Sequence, residues 1–216
     1  MMKPIYRLLA LLLIFTAVGG AILEYATVYV SIPITLMALA LLWLSNRADK
    51  SYCYVLSVLA IFSVLELLVV TILSKTVLGQ YSHFVENNAF FLTHLVIDTL
   101  VFYFILVRRE VMLRVYAKNE KVWPEILTKS IVDAPMLGIF VLFIIVDILT
   151  IGENLLRHLE YFGVAESFAS QFWELEFMYD YIEEIKGTLL GLVMCLLYIC
   201  SFITRSQSRR IEAETT

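Results

Sequence analysis

Residues 131–151 read IVDAPMLGIFVLFIIVDILTI, an apolar run interrupted by two acids, and this stretch decides the fold. Crossing a hydrocarbon core takes about 20 mainly apolar residues, and the run has that length. Five further segments come near it, at 5–23, 28–45, 52–74, 88–107 and 185–204. The six together predict an all-α, polytopic integral membrane helical bundle, a single transmembrane domain over 1–216. If the first two segments form one broken element, the count falls to five. The first segment, LLALLLIFTAVGG behind Lys3 and Arg7, also has the pattern of a signal peptide, but is read as a retained helix.

Composition points the same way. Of 216 residues, 61% are hydrophobic and 17% charged, and the mean hydropathy is +0.84. A soluble domain carries about 25% charged and 45–50% apolar residues, so no water-soluble core hides this excess. The net charge of −4 and the lack of a long basic face argue against nucleic acid as a partner. Cys53, Cys195 and Cys200 lie in apolar stretches without metal or disulfide spacing.

Charge also predicts orientation, because Lys and Arg favour short cytoplasmic loops. Six spans with both termini in the cytoplasm put 13 cations inside and leave Lys75, Arg157 and Lys186 outside. The expected location is a bacterial inner (plasma) membrane. Cytoplasmic segments then sum to +7, external ones to −7, and Glu66, Asp98, Asp133 and Asp147 within the spans supply the net −4.

Two connections exceed simple turns. The basic loop 108–130 presents Arg108, Arg109, Arg114, Lys118, Lys121 and Trp123 as a candidate surface for a cytosolic protein partner, although these bases also serve topology alone. The external stretch 152–184 is acidic and aromatic. Phe168, Phe172, Leu175, Tyr179 and Ile182 share one helical face. They predict a helix lying on the outer surface or continuing upward from the sixth span. Aromatic residues at that level also suit simple anchoring in the headgroup zone.

Acids within a span are costly and point into the bundle or a watery cavity. With Arg7 and Lys186, near the ends of their runs, counted with the adjoining loops, no Lys or Arg is left within a span, and the four acids must be protonated, hydrogen-bonded or holding a cation. Asp98 sits at the centre of its span, with Glu66 and His94 about 5–6 Å and Asp147 about 9 Å toward the outside. His94 and Asp98 are spaced i, i+4 and meet on one face, as a proton relay, two ligands for a metal of unknown kind, or a packing hydrogen bond. Asp133 and Asp147 lie within about 40° of one face, with Leu137, Phe140 and Ile144 between them. Carboxylates at both mouths of an apolar stretch are one way to write a cation site with a hydrophobic gate; Asp133 as a helix cap is the simpler alternative. Gly187 and Gly191 allow close helix contact, including a homo-oligomeric one.

No P-loop, HExxH or GxSxG signature is present, so neither an enzyme nor a cofactor is expected. Two functions remain. One is a cation- or proton-responsive, channel-like subunit for ion transport, oligomeric in the lipid bilayer. The other is a membrane sensor or anchor that reads an envelope event and signals by holding a cytosolic partner, as small multi-pass proteins of bacterial phage (antiviral) defence and envelope stress do.

Overall fold

The computed structural model describes residues 28–47, 49–115 and 132–215, with side chains from 32 to 203 within those ranges. Segment 5–23 and the partner-surface residues Lys118, Lys121 and Trp123 lie outside the described residues. Every regular element that is described is helical. Helix α1 covers Val28–Ser45, α2 Lys50–Thr76, α3 His83–Leu106, α4 Arg108–Val115 and α5 Asp133–Arg157. Short 3-10 turns at Leu159–Phe162 and Ser170–Phe172 flank α6 (Glu166–Ala169), and α7 runs over Phe177–Thr215. Four of these helices are long and apolar enough to cross a membrane: α2, α3, α5 and α7. They point to membrane association.

Local chemistry sets the boundaries. Asp49 caps α2, its Oδ1 accepting from Tyr52 N at 2.8 Å, which satisfies one of the orphan amides of the first turn. The α2–α3 turn needs the left-handed conformation of Gly79, at φ +75°, which costs a residue without Cβ little. Buried Glu86, at the start of α3, accepts from Gly79 N at 2.6 Å and fixes that turn.

Within the bundle, α5 packs between α3 and α7, while α2 packs against both α1 and α3. The seam on α5 is Met136, Phe140, Phe143, Asp147, Thr150 and Asn154, all buried. Alternating steps of four and three keep these side chains on one face, the knob pattern of helix seams. Phe140 stacks on Phe143 with ring centroids 5.4 Å apart. At the far end of α7, Tyr52 Oη donates to Leu197 O at 2.7 Å and Ser201 Oγ donates to Asn46 Oδ1 at 3.0 Å, tying α7 to α2 and to the end of α1.

The outward faces are apolar too. Ile61, Leu68 and Ile72 on α2, Leu92 and Val96 on α3, Ile148 and Leu149 on α5, and Leu192 and Ile199 on α7 are all exposed. Helices apolar on all sides belong in a surrounding that is itself apolar.

The helix expected in the second half of 152–184 is present only from Phe177, where α7 continues beyond the sixth apolar segment. Residues 152–157 extend α5, and the chain then breaks into short turns until Phe177 opens α7. Phe168, Phe172 and Leu175 therefore do not share a helix with Tyr179 and Ile182. Gly163, at φ +78°, allows the reversal that the 3.6-residue spacing does not reveal.

Candidate functional site

The expectation that the intramembrane acids lack cations is overturned. Lys186, placed in the external loop by its position at the edge of the apolar run, lies well inside α7, whose first residue is Phe177. Its Nζ donates to Asp98 Oδ2 at 2.9 Å and contacts Asp147 Oδ1 at 2.5 Å. The first contact is a directional hydrogen bond. The second is an ion pair in direct contact. The ammonium also lies 5.8 Å from the centroid of the Phe143 ring.

Three helices thus contribute one group each: α3 Asp98, α5 Asp147 and α7 Lys186. Asp147 is fully buried, at 0% exposure, because it occupies a seam position that an apolar residue would ordinarily fill. Lys186 and Asp98 retain only 16% and 14% side-chain exposure. Two carboxylates share one ammonium, so the fully ionised triad carries an excess negative charge.

A second pair stands beside it. His94 Nδ1 lies 3.1 Å from Glu66 Oε1, joining α3 to α2. Here the structure differs from the i, i+4 reading: His94 reaches across to Glu66 and Asp98 reaches across to Lys186. Interhelical partners outcompete the neighbour on the same helix because α2 packs directly against α3 and the long Lys186 side chain reaches Asp98 from α7. The two residues remain one helical turn apart, about 6 Å along the axis.

Asp133 belongs to a separate site. Its Oδ2 accepts from Arg108 Nη2 at 2.7 Å, some 14 residues or about 21 Å along α5 from Asp147. Arg108, expected on an exposed partner surface, is 1% exposed, whereas Arg109 and Arg114 on α4 are exposed. The helix cap of α5 is Val132, and Asp133 stands in the first turn, where a negative charge suits the helix dipole. Of the predicted gate, Phe140 is buried in the seam and Leu137 packs partly buried against the core, with Ile144 half-buried. Gly187 and Gly191 are buried on the face of α7 turned into the chain itself.

The acidic rim is also smaller than its sequence count. Buried Glu153 accepts from the backbone amides of Met178 and Tyr179, each at 2.8 Å, and so caps α7 from α5. Arg157 donates to Glu176 at 2.7 Å and lies 5.2 Å from the Tyr179 ring centroid. A groove of about 400 Å³ lies elsewhere on α7, lined by Phe177, Tyr181, Glu184, Ile185, Thr188 and Leu189. Among the described residues, no group of three or more His, Cys, Asp or Glu is placed to hold a metal ion.

Compared with known protein families, curated proteins and solved structures, the chain matches none. The reading of its function therefore rests on the residues themselves.

Lys186 was hidden by a simple rule of reading. A hydropathy window starts where the side chains turn apolar, and Lys186 follows the first apolar residue of its run by one position. The charged stretch Asp180–Glu184 before it reads as loop, yet it forms the first turns of α7. The signal lay in the spacing of Asp147 within the α5 seam, which calls for a cation from a facing helix.

Proposed function

We propose that this chain is a non-enzymatic, multi-pass membrane protein whose polar interior responds to cations or protons, as a channel-like subunit. The observation that carries this reading is the sharing of Lys186 between Asp98 and Asp147. Ionisable groups held at this depth are expensive and by default mark a functional site such as an ion or proton pathway. The unbalanced carboxylate gives the site a place for one further positive charge. In the proposed six-span topology, both termini and the Arg108–Asp133 pair face the cytoplasm of a bacterial inner membrane, and Glu153 faces outward. With Lys186 moved from the outer count into the bundle, the partition of cations becomes 13 to 2 and supports that orientation.

The Phe140–Phe143 stack fills the interior between Asp133 and Asp147. Conduction in this reading takes a rearrangement of α5 or the association of several copies. The test is ion flux in liposomes, with Asp98→Asn and Asp147→Asn beside the wild type. Loss of flux in both variants supports the proposal; unchanged flux, or none in the wild type, ends it.

A second reading is favoured by α4. Arg109 and Arg114 are exposed while neighbouring Arg108 is locked to Asp133, so a partner docked on α4 is mechanically connected to α5. This supports a sensor or anchor holding a cytosolic protein. Charge reversal at Arg109 and Arg114 alone, followed by co-purification, tests it without breaking the buried pair. An undiminished partner yield counts against it.

A further inference from the structure

We infer that Glu66, His94 and Asp98 form a lateral proton relay across the bundle, in which Lys186, held between Asp98 and Asp147, keeps metal cations out. The inference rests on the cation- or proton-responsive reading above and names the species and the route.

A metal ion held by Asp98 and Asp147 would sit between their oxygens. That place is filled by Lys186 Nζ, at 2.9 Å from one and 2.5 Å from the other. A proton needs no such space, since it adds to an oxygen already present.

Among the described residues, the titratable groups at the site are Glu66 from α2, His94 and Asp98 from α3, Asp147 from α5 and Lys186 from α7. Glu184 on α7 lies two residues from Lys186, about 200° around the helix, and lines the separate groove. Three carboxylates against one ammonium leave two negative charges while His94 is neutral. Two protons remove them: one on the Glu66–His94 pair and one on the Asp98–Lys186–Asp147 triad. Each half is therefore one proton short of neutrality, and neither half can discharge the other without passing a proton along α3.

Glu66 and His94 are in contact at 3.1 Å. His94 and Asp98 stand one turn apart on the same helix, about 6 Å along its axis, and the relay requires a water between them. In the transfer, Asp98 releases a proton from its carboxyl and becomes carboxylate, and the imidazole of His94 takes it and becomes imidazolium. The imidazolium then gives a proton to the Glu66 carboxylate, which becomes a carboxylic acid as neutral imidazole returns. Lys186 keeps its three protons throughout and leans toward whichever of Asp98 and Asp147 is charged.

The experiment uses the full chain in liposomes containing a pH-sensitive dye, with the voltage set by a potassium gradient and valinomycin. Proton entry should fall about a hundredfold in His94→Gln and in Asp98→Asn, the scale of losing one positioned proton-transfer group. His83→Gln should leave it unchanged, because the His83 side chain is 94% exposed and away from the relay. Replacing external sodium by choline should also leave the wild-type rate unchanged. Proton entry that survives His94→Gln overturns the relay and leaves the responsive reading standing. Sodium flux without proton entry likewise overturns the relay alone. No flux of either ion in the wild type overturns both. As a check independent of flux, the infrared carbonyl band of a protonated carboxyl should be present in the wild type and altered in Asp147→Asn; its absence overturns the inference.

Discussion

Arg108 and Asp133 form a 2.7 Å ion pair that joins the start of α4 to the first turn of α5, and the two partners are unequally buried. The Arg108 side chain is 2% exposed and that of Asp133 22%. Breaking a buried pair costs about 3–5 kcal/mol, chiefly because one charge is left without a partner. The cost should follow the partner left behind. Asp133→Ala, which strands the guanidinium, is expected to destabilise more than Arg108→Ala, which strands a carboxylate that water can reach. Equilibrium unfolding in mixed micelles measures both. Equal losses would show that the two charges are equally hydrated.

The triad makes a similar prediction with a different order. Removing Lys186 leaves two carboxylates facing each other with no cation, whereas removing the charge of Asp98 leaves a balanced Lys186–Asp147 pair. Lys186→Met should therefore lower stability by about 3–5 kcal/mol, and Asp98→Asn by much less. The double variant Asp98→Asn, Lys186→Met should fall between them. Thermal unfolding of the three proteins in one detergent gives the ranking, and a more damaging Asp98→Asn would reject the charge balance argued for the site.

How far the sequence carried this picture depends on which force sets each feature. Hydropathy located the long helices, because apolar side chains in unbroken runs of span length have few other places to go. It also marked Asp98, Asp147, Glu66 and His94 as groups that need an explanation. What it did not contain was pairing. His94 was assigned to Asp98 through helix geometry, but contacts between helices decide, and these depend on the packing of α2 and α3. Lys186, the second residue of the run 185–204, counts with the outer loop only if the helix begins at that run; α7 begins at Phe177, with acidic residues whose helix is stabilised by Glu153 from another element. The buried stripe on α5 was legible in part: Phe140 and Asp147 belong to both the expected face and the observed seam, which runs through Met136 and Phe143 rather than Leu137 and Ile144.

Glu153 supplies the third prediction. Both its oxygens accept backbone amides of the first turn of α7, doing from α5 what a cap residue ordinarily does within one chain segment. A charged acceptor makes each bond worth about 1.5–3 kcal/mol. Glu153→Ala should release the first turn of α7 and raise amide exchange at Met178 and Tyr179 selectively. Glu153→Gln, which keeps one acceptor oxygen, should give an intermediate effect. Uniform acceleration along the whole of α7 would instead mean that the cap is not local.

The last prediction compares two tyrosines on one helix. Tyr52 is 1% exposed and donates to Leu197 O at 2.7 Å, while Tyr54 is partly buried and donates to Phe104 O at 3.2 Å. A buried hydroxyl bond contributes about 0.5–1.5 kcal/mol net, and the shorter, drier bond should lie at the upper end. Tyr52→Phe keeps the ring that packs in the core, so the loss reports the hydroxyl alone and should reach about 1–1.5 kcal/mol. Tyr54→Phe should cost no more than about 0.5 kcal/mol, because at this partly buried position water can take the hydroxyl's place as donor to Phe104 O in part. Since Tyr52 joins α2 to α7, its loss should also loosen the Ser201–Asn46 contact one turn further along α7. A Tyr52→Phe, Ser201→Ala double-mutant cycle measures that coupling. Strict additivity would show that the two bonds hold α7 independently.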